Sequence, residues 1–182
     1  MSLSTDGAIR WWCDMTPDPA SGRSGDRGAL ARLRRCATVA EAMREPATFD
    51  LFRRCGGSGH RDLPSAALAA AVLAHVRDDD REHAYVARRI GPDDPDKPET
   101  ALLKPLRFRR LMEASTEDER LTAFRRLVAL ATGKLNVRGL AEALLFWTDE
   151  RRGEELKRRW IYDYWNADVR TPTSTDAKET TP

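Results

Sequence analysis

Apolar residues recur at three- and four-residue spacings along most of the chain, and stretches that alternate apolar with polar residues are rare. The first pattern is typical of amphipathic helices, whereas alternation would favour strands. The segment Leu63 to Val76 is rich in alanine and apolar on nearly all sides, which predicts a buried central helix. The pattern therefore predicts an all-α protein, a compact helical bundle in two small lobes with about eight or nine helices.

Capping and breaking residues indicate where the other helices begin and end. Asp26 and Asn136 are suited to be N-caps, and Thr116 with Glu119 makes a capping box. A short aromatic segment, Ile9 to Cys13, precedes them. The predicted helices are Arg27 to Cys36, Val39 to Arg44, Pro46 through Arg53, Arg81 to Ile90, Glu99 to Met112, Thr116 to about Ala131, Asn136 through Phe146, and Asp149 to Tyr164.

Changes in composition divide the chain into five parts. Residues 78–98 combine many acidic residues with Gly91 and three prolines, which is typical of a connection between lobes. Residues 166–182 are polar and rich in Thr and Pro, which predicts a disordered tail. The predicted parts are an N-terminal helix and loop (1–25), an N-terminal helical lobe (26–77), the acidic connection (78–98), a C-terminal helical lobe (99–165) and the tail (166–182).

Composition narrows the class of protein further. The 182 residues carry a net charge of +2, with 41% hydrophobic and 33% charged residues, and no apolar run approaches the roughly 18 residues of a membrane span. The first residues lack the pattern of a secretory signal, so we expect a cytoplasmic protein without a membrane partner. Three widely spaced cysteines, Cys13, Cys36 and Cys55, favour free thiols over disulfides or a zinc site.

Candidate catalytic and metal-binding patterns are weak. His75 and His83 flank the acidic run 78–80, but such a run is usually solvated, so we predict neither a metal nor a cofactor. Gly133 and Lys134 are followed by leucine and do not complete a phosphate-binding loop. No Ser or Cys occupies a nucleophile elbow, and the sequence therefore predicts a non-catalytic protein.

Pairs of arginines recur beside apolar helix faces. Any one pair is usually a solvated surface or an internal ion pair. Several guanidinium groups spaced along packed helices can instead follow a phosphate backbone without reading bases. Both interpretations stay open on composition alone. The pairs are Arg34 and Arg35, Arg53 and Arg54, Arg109 and Arg110, Arg125 and Arg126, and Arg158 and Arg159.

The five tryptophans are the other candidates for nucleic-acid contact, because aromatic rings stack on bases in single-strand binders. Trp147, Trp160 and Trp165 lie at or near apolar helix faces, which favours the core or a subunit interface over stacking. Trp11 and Trp12 fit either role.

Three segments resemble the CasB family, the small subunit of the type I-E CRISPR surveillance complex Cascade. They are DRGALARLRR with the following AMREPATFDLF, ALLKPLRFRRLM with LTAFRRLVAL, and LNVRGLAEALLFW followed by RRWIYDYW. The resemblance implies a two-lobed helical fold, a dimer inside the complex, no enzymatic activity, and a role in antiviral defence. It also implies sequence-independent contacts to the crRNA–target DNA heteroduplex and the displaced strand, since base pairing reads sequence in such systems.

The resemblance implies particular binding residues. They are Arg34 and Arg35 in LRR, Arg107 and Arg110 in LRFRR, and Arg125 and Arg126 in FRRLV, with Lys134 and Arg138 added on charge and position. Two other classes stay open. The helix ending near Ala131 and the helix from Val137 are spaced like a helix-turn-helix of a transcription regulator, although the second offers mainly Arg138 for reading bases. The chain also fits a protein–protein adaptor with incidental arginines.

Overall fold

The computed structural model describes residues 3–167, and the rest of the predicted tail, 168–182, lies outside this range. The prediction of an all-α protein is confirmed, with ten α-helices in the described residues rather than eight or nine. The helices are α1 (Thr5–Met15), α2 (Arg27–Arg35), α3 (Val39–Ala42), α4 (Pro46–Arg54), α5 (Leu63–Leu73), α6 (Val86–Ile90), α7 (Pro105–Glu113), α8 (Glu117–Leu130), α9 (Val137–Phe146) and α10 (Gly153–Tyr164). Two strands, β1 (Asp78–Asp79) and β2 (Lys134–Leu135), pair in parallel.

Helix α5 lies at the centre of the molecule, as its composition predicts. Every residue from Ala66 to Leu73 is buried, because a helix that is apolar on all sides has no face to present to water. Helices α3, α4, α8 and α9 pack around α5, and α1 packs against α4 and α9. Buried residues from both sides of the acidic connection form a single hydrophobic core. The division into lobes stays a prediction, and the core is continuous across it.

The predicted caps are present. The Asp26 and Asn136 side chains each accept a hydrogen bond at 2.8 Å from the backbone N–H three residues further on, and Thr116 with Glu119 forms the reciprocal capping box. Helix α7 begins later than predicted. Its first residue is Pro105, which suits the first turn because proline has no N–H to leave unpaired, and Pro98–Thr100 forms a separate 3-10 turn.

The acidic connection is part of the folded body. Its strand β1 lies beside β2, and an Asp79 carboxylate oxygen accepts a hydrogen bond at 2.9 Å from the backbone N–H of Val137 at the start of α9. A carboxylate there complements the positive end of the helix dipole. Asp80 is only 2% exposed. The short strands were not predicted, since two residues cannot display an alternating pattern.

Aromatic packing accounts for the tryptophans. Trp147 and Trp160 are buried and pack edge-to-face with each other and with Phe124. Of the two predicted locations, the core and a subunit interface, these two residues occupy the core. Trp11 and Trp12 are also buried, and their indole N–H groups donate to backbone carbonyl oxygens. None of the helices in residues 3–167 has the length and apolar character needed to span a bilayer.

Candidate nucleic-acid interface

Arg125 of α8 contacts the carboxyl ends of two other helices. Its Nη1 donates to the carbonyl oxygen of Cys36 at 2.7 Å, and its Nη2 donates to those of Leu33 at 2.9 Å and Ala71 at 3.4 Å. Carbonyls at helix ends lack partners within the helix and carry partial negative charge. Burial lowers the pKa of Arg125, but a guanidinium remains charged at neutral pH. Arg125 therefore ties the ends of α2 and α5 together, and its role in binding nucleic acid stays a prediction.

Arg34 and Arg77 lie at the same end of α5. Nε of Arg34 donates to the carbonyl oxygen of Ala74 at 2.6 Å. Burial, and then the charge of Arg77, lower the pKa of Arg34, so the two cations are close enough to repel. Arg77 is exposed, and its stem lies against Gly133. Within residues 3–167, no carboxylate forms an ion pair with either arginine. Arg77 was not predicted as a binding residue, because it stands outside every arginine pair of the sequence.

Lys134 joins this group through the β-ladder. It pairs with Asp78, the neighbour of Arg77, and its side chain is exposed. The ladder thus brings together two exposed cations that are far apart in the sequence. We define the α5-end cluster as Arg34, Arg77, Arg125 and Lys134.

His75 lies in the positive field of the three arginines of the α5-end cluster. Its Nε2 is buried and makes no hydrogen bond with the described residues. Burial, and then the charges of Arg125, Arg34 and Arg77, lower the pKa of His75 to about 4. The imidazole is therefore neutral at pH 7, which agrees with the prediction of a packed histidine.

The lowered pKa of His75 makes stability depend on pH. Below the ordinary value of 6.5 the unfolded chain binds the proton more tightly, so stability is full above that pH and falls as the pH drops towards 4. We expect His75 to account for about 1 to 2 kcal/mol of the wild-type loss between pH 7 and pH 5. Urea unfolding of His75→Leu at both pH values should show a loss smaller by this amount. His60→Gln, at an exposed position, is the control, and equal losses in all three proteins would contradict the assignment.

Arg110 and Arg126 lie at a second candidate site. They line a cavity of about 540 Å³ between α7 and α8. Three acidic residues share its wall with the two arginines: Glu113, Asp118 and Glu119. The local charge is therefore mixed, which weakens attraction for phosphate. The structure also separates Arg126 from Arg125, because adjacent residues on a helix face different directions.

The remaining predicted residues lie on three different helices. Arg35 and Arg107 are exposed on α2 and α7, with Nε of Arg35 donating to its own helix at the carbonyl oxygen of Ala31. Arg138 is exposed on α9 and forms an ion pair with Asp6 of α1 at 2.8 Å. The eight predicted residues thus lie on five elements: α2, α7, α8, β2 and α9.

The acidic run offers one group with the composition of a metal site. Ligand atoms of Asp80, Glu82 and His83 lie within 4.8 Å of one another, and His75 does not belong to the group. Nδ1 of His83 lies 3.0 Å from Asp80, and Nε of Arg89 lies 3.7 Å from it. The buried Asp80 carboxylate therefore already has two side-chain partners among the described residues.

The helical fold and the α5-end cluster define a class of small all-α proteins with a localised basic surface. A family model described as CRISPR-associated protein Cse2 (CRISPR_cse2) matches residues 29–165, well over half of the chain. The chain belongs to the Cse2 family of CRISPR-associated proteins, the CasB family of type I-E Cascade small subunits, and the resemblance found in the sequence is confirmed.

Among solved structures, the chain is similar to the crystal structure of TTHB189, a CRISPR-associated protein of the Cse2 family from Thermus thermophilus. The match has a TM-score of 0.63 and 21% sequence identity, and covers 90% of this chain and 99% of that chain. At this identity the likeness shows a shared fold. No curated protein matches the chain in sequence.

Proposed function

We propose that this chain is a non-catalytic subunit of a type I-E Cascade complex that binds nucleic-acid backbone without sequence preference. In this role it stabilises the crRNA–target DNA heteroduplex and the displaced strand, together with a second copy of itself and other Cascade subunits. Membership of the Cse2 family supports the place in the complex. The α5-end cluster supports the backbone contacts.

The observation that carries the proposal is the group of four cations at the end of α5. Arg77 and Lys134 are exposed, and neither forms an ion pair with another described residue. Arg34 is also exposed and Arg125 is half-buried, and both donate to backbone carbonyl oxygens. Clustered cations attract phosphate over several ångströms, even where one of them, here Lys134, also acts on a buried carboxylate, that of Asp80. The other predicted residues stay candidates.

Burial of α9 disfavours the alternative of a helix-turn-helix regulator. Val137, Leu140, Ala141 and the segment 143–146 are buried, and the helix packs against α5 and α1. A recognition helix must instead present its side chains to the major groove. The helix of this chain that would read DNA therefore belongs to the core.

Removing Arg77 and Lys134 together tests the proposal. In anisotropy titrations with single-stranded and duplex DNA of two unrelated sequences, the double alanine variant should bind roughly tenfold more weakly to every sequence at low salt. The plot of log affinity against log salt should lose about 1 to 2 units of slope, because two phosphate contacts release fewer counterions.

The control is the double variant Lys157→Ala with Arg159→Ala, which removes the same net charge from α10. Both of these side chains form ion pairs with glutamates. If the two double variants lost the same affinity for DNA, the loss would be explained by net charge alone. That result would contradict an interface at the α5-end cluster. An effect confined to one sequence would favour a regulator, and no binding by the wild type would favour an adaptor.

A further inference from the structure

A cavity of about 470 Å³ lies between α6 and the turn that follows α10. Its volume is within the range of small-molecule sites, roughly 300 to 1,000 Å³. Six of its wall residues carry the argument: Glu82, His83, Tyr85, Arg89, Asp93 and Asn166. None of them belongs to the α5-end cluster.

A buried carboxylate holds two of these wall residues in place. Asp80 accepts from Nδ1 of His83 at 3.0 Å and lies 3.7 Å from Nε of Arg89. Burial alone would raise the pKa of Asp80, but the hydrogen bond and charge of His83 outweigh it and the pKa is lowered. The backbone of Asp80 is also fixed, since its N–H donates to Leu135 and its carbonyl accepts from Asn136. Side chains held in this way are ordered before a ligand arrives.

Asn166 contributes an acceptor without a partner. Its residue is 8% exposed, it adopts a left-handed backbone with φ of 52°, and its Nδ2 donates to the carbonyl oxygen of Asp93 at 3.1 Å. Its Oδ1 is buried and receives no hydrogen bond from residues 3–167. A buried oxygen without a donor is unfavourable, so a ligand that donates to Oδ1 of Asn166 would gain a hydrogen bond there.

Tyr85 adds an aromatic ring at the same cavity. The residue is 55% exposed, and it is one of few large apolar side chains that the described surface presents to water. The wall therefore combines a ring with donors from His83 and Arg89 and with acceptors from Glu82 and Asn166. A phosphate by itself needs only donors. A nucleobase offers a π-face together with donor and acceptor edges, which matches this mixture.

We propose that the cavity takes one unstacked nucleotide of a single strand. The base packs on Tyr85 and meets Asn166 with its polar edge, while Arg89 faces the phosphate. The proposal rests on the proposed function, since it supposes that a single strand reaches this surface. The two proposals differ because binding in the cavity requires contacts to the base as well as to the backbone.

The test compares Tyr85→Ala with Tyr162→Ala, a change at another tyrosine of similar exposure, 52%, on α10. The probes are a single-stranded DNA of about 12 nucleotides and an abasic strand of the same length. The wild type should prefer the intact strand by about five- to tenfold, because the intact strand gains a base stacked on the Tyr85 ring and the abasic strand does not. Tyr85→Ala should remove this preference without weakening binding to the abasic strand, while Tyr85→Phe and Tyr162→Ala should keep it.

The proposal that the cavity binds a nucleotide would be overturned if Tyr85→Ala kept the preference for the intact strand. It would also be overturned if Tyr162→Ala lost that preference to the same extent. If in addition the Arg77 and Lys134 variant still loses affinity for both strands, the proposed function survives that failure. If the wild type binds neither strand, the proposed function fails. A titration with AMP then tests whether the cavity binds a nucleotide. In that case chemical-shift changes in the wild type that Tyr85→Ala abolishes would support a nucleotide site, and their absence would reject it.

Discussion

Arg125→Ala is expected to lower the free energy of unfolding by about 3 kcal/mol, because three carbonyl oxygens at the ends of α2 and α5 lose a charged donor. The distances of 2.7 and 2.9 Å to Cys36 and Leu33 indicate that these two bonds carry most of the effect. Arg125→Lys should recover only part of the loss, since an ammonium group cannot reproduce the planar fork of a guanidinium. Equilibrium unfolding in urea measures each change.

Arg126→Ala is the matched control for this prediction. The residue is the next one on the same helix, is exposed, and should change stability by less than about 0.5 kcal/mol. Equal losses at the two positions would contradict the structural role of Arg125. If Arg125→Ala unfolded like the wild type and lost only strand affinity, Arg125 would belong to the nucleic-acid interface, as the family resemblance implies.

Trp160→Ala is expected to destabilise the fold by about 4 kcal/mol, as truncation of large buried aromatic residues usually does. Its ring centroid lies 5.2 Å from that of Trp147 and 5.9 Å from that of Phe124, with interplanar angles of 86° and 80°. These edge-to-face contacts add to the loss of buried area. The residue joins α10 to α8 and the end of α9, so its removal should also weaken the near-UV circular dichroism of the folded protein.

Tyr162→Ala serves as the control for Trp160→Ala, because Tyr162 lies two residues away on α10 and is 52% exposed. Its effect on stability should be under about 0.5 kcal/mol. A Trp160→Ala protein that kept wild-type stability but no longer bound single strands would move Trp160 from the core to a stacking surface. A small effect on both properties would contradict the packing described above.

Local signals in the sequence predicted many elements of the fold. The caps Asp26, Thr116 and Asn136 bond to groups three residues away, so their partners can be identified from spacing alone. The burial of α5 follows from the absence of polar residues along it. Family resemblance added the class of protein, which the Cse2 family match confirms.

The candidate site was less predictable, because its contacts join distant parts of the chain. Arg125 bonds to residues 89, 92 and 54 positions away, and nothing in the pair Arg125 and Arg126 shows which one faces inward. Arg77 lacks a neighbouring arginine, so the pattern of arginine pairs does not include it. The composition of the acidic connection predicts a link between lobes. It does not reveal the burial of Asp80, because that burial depends on β2, more than 50 residues further on.

The sequence by itself determined the helical class, the central helix, the helix caps and the family, since these depend on spacing within a few turns or on ordered motifs. Only the tertiary structure decided which cations are committed to helix ends and which stay at the surface. It also decided that the acidic segment builds a cavity wall with Asn166. These outcomes depend on how helix ends and strands meet after packing, because the partners of each charge are chosen by three-dimensional neighbourhood and not by position in the chain.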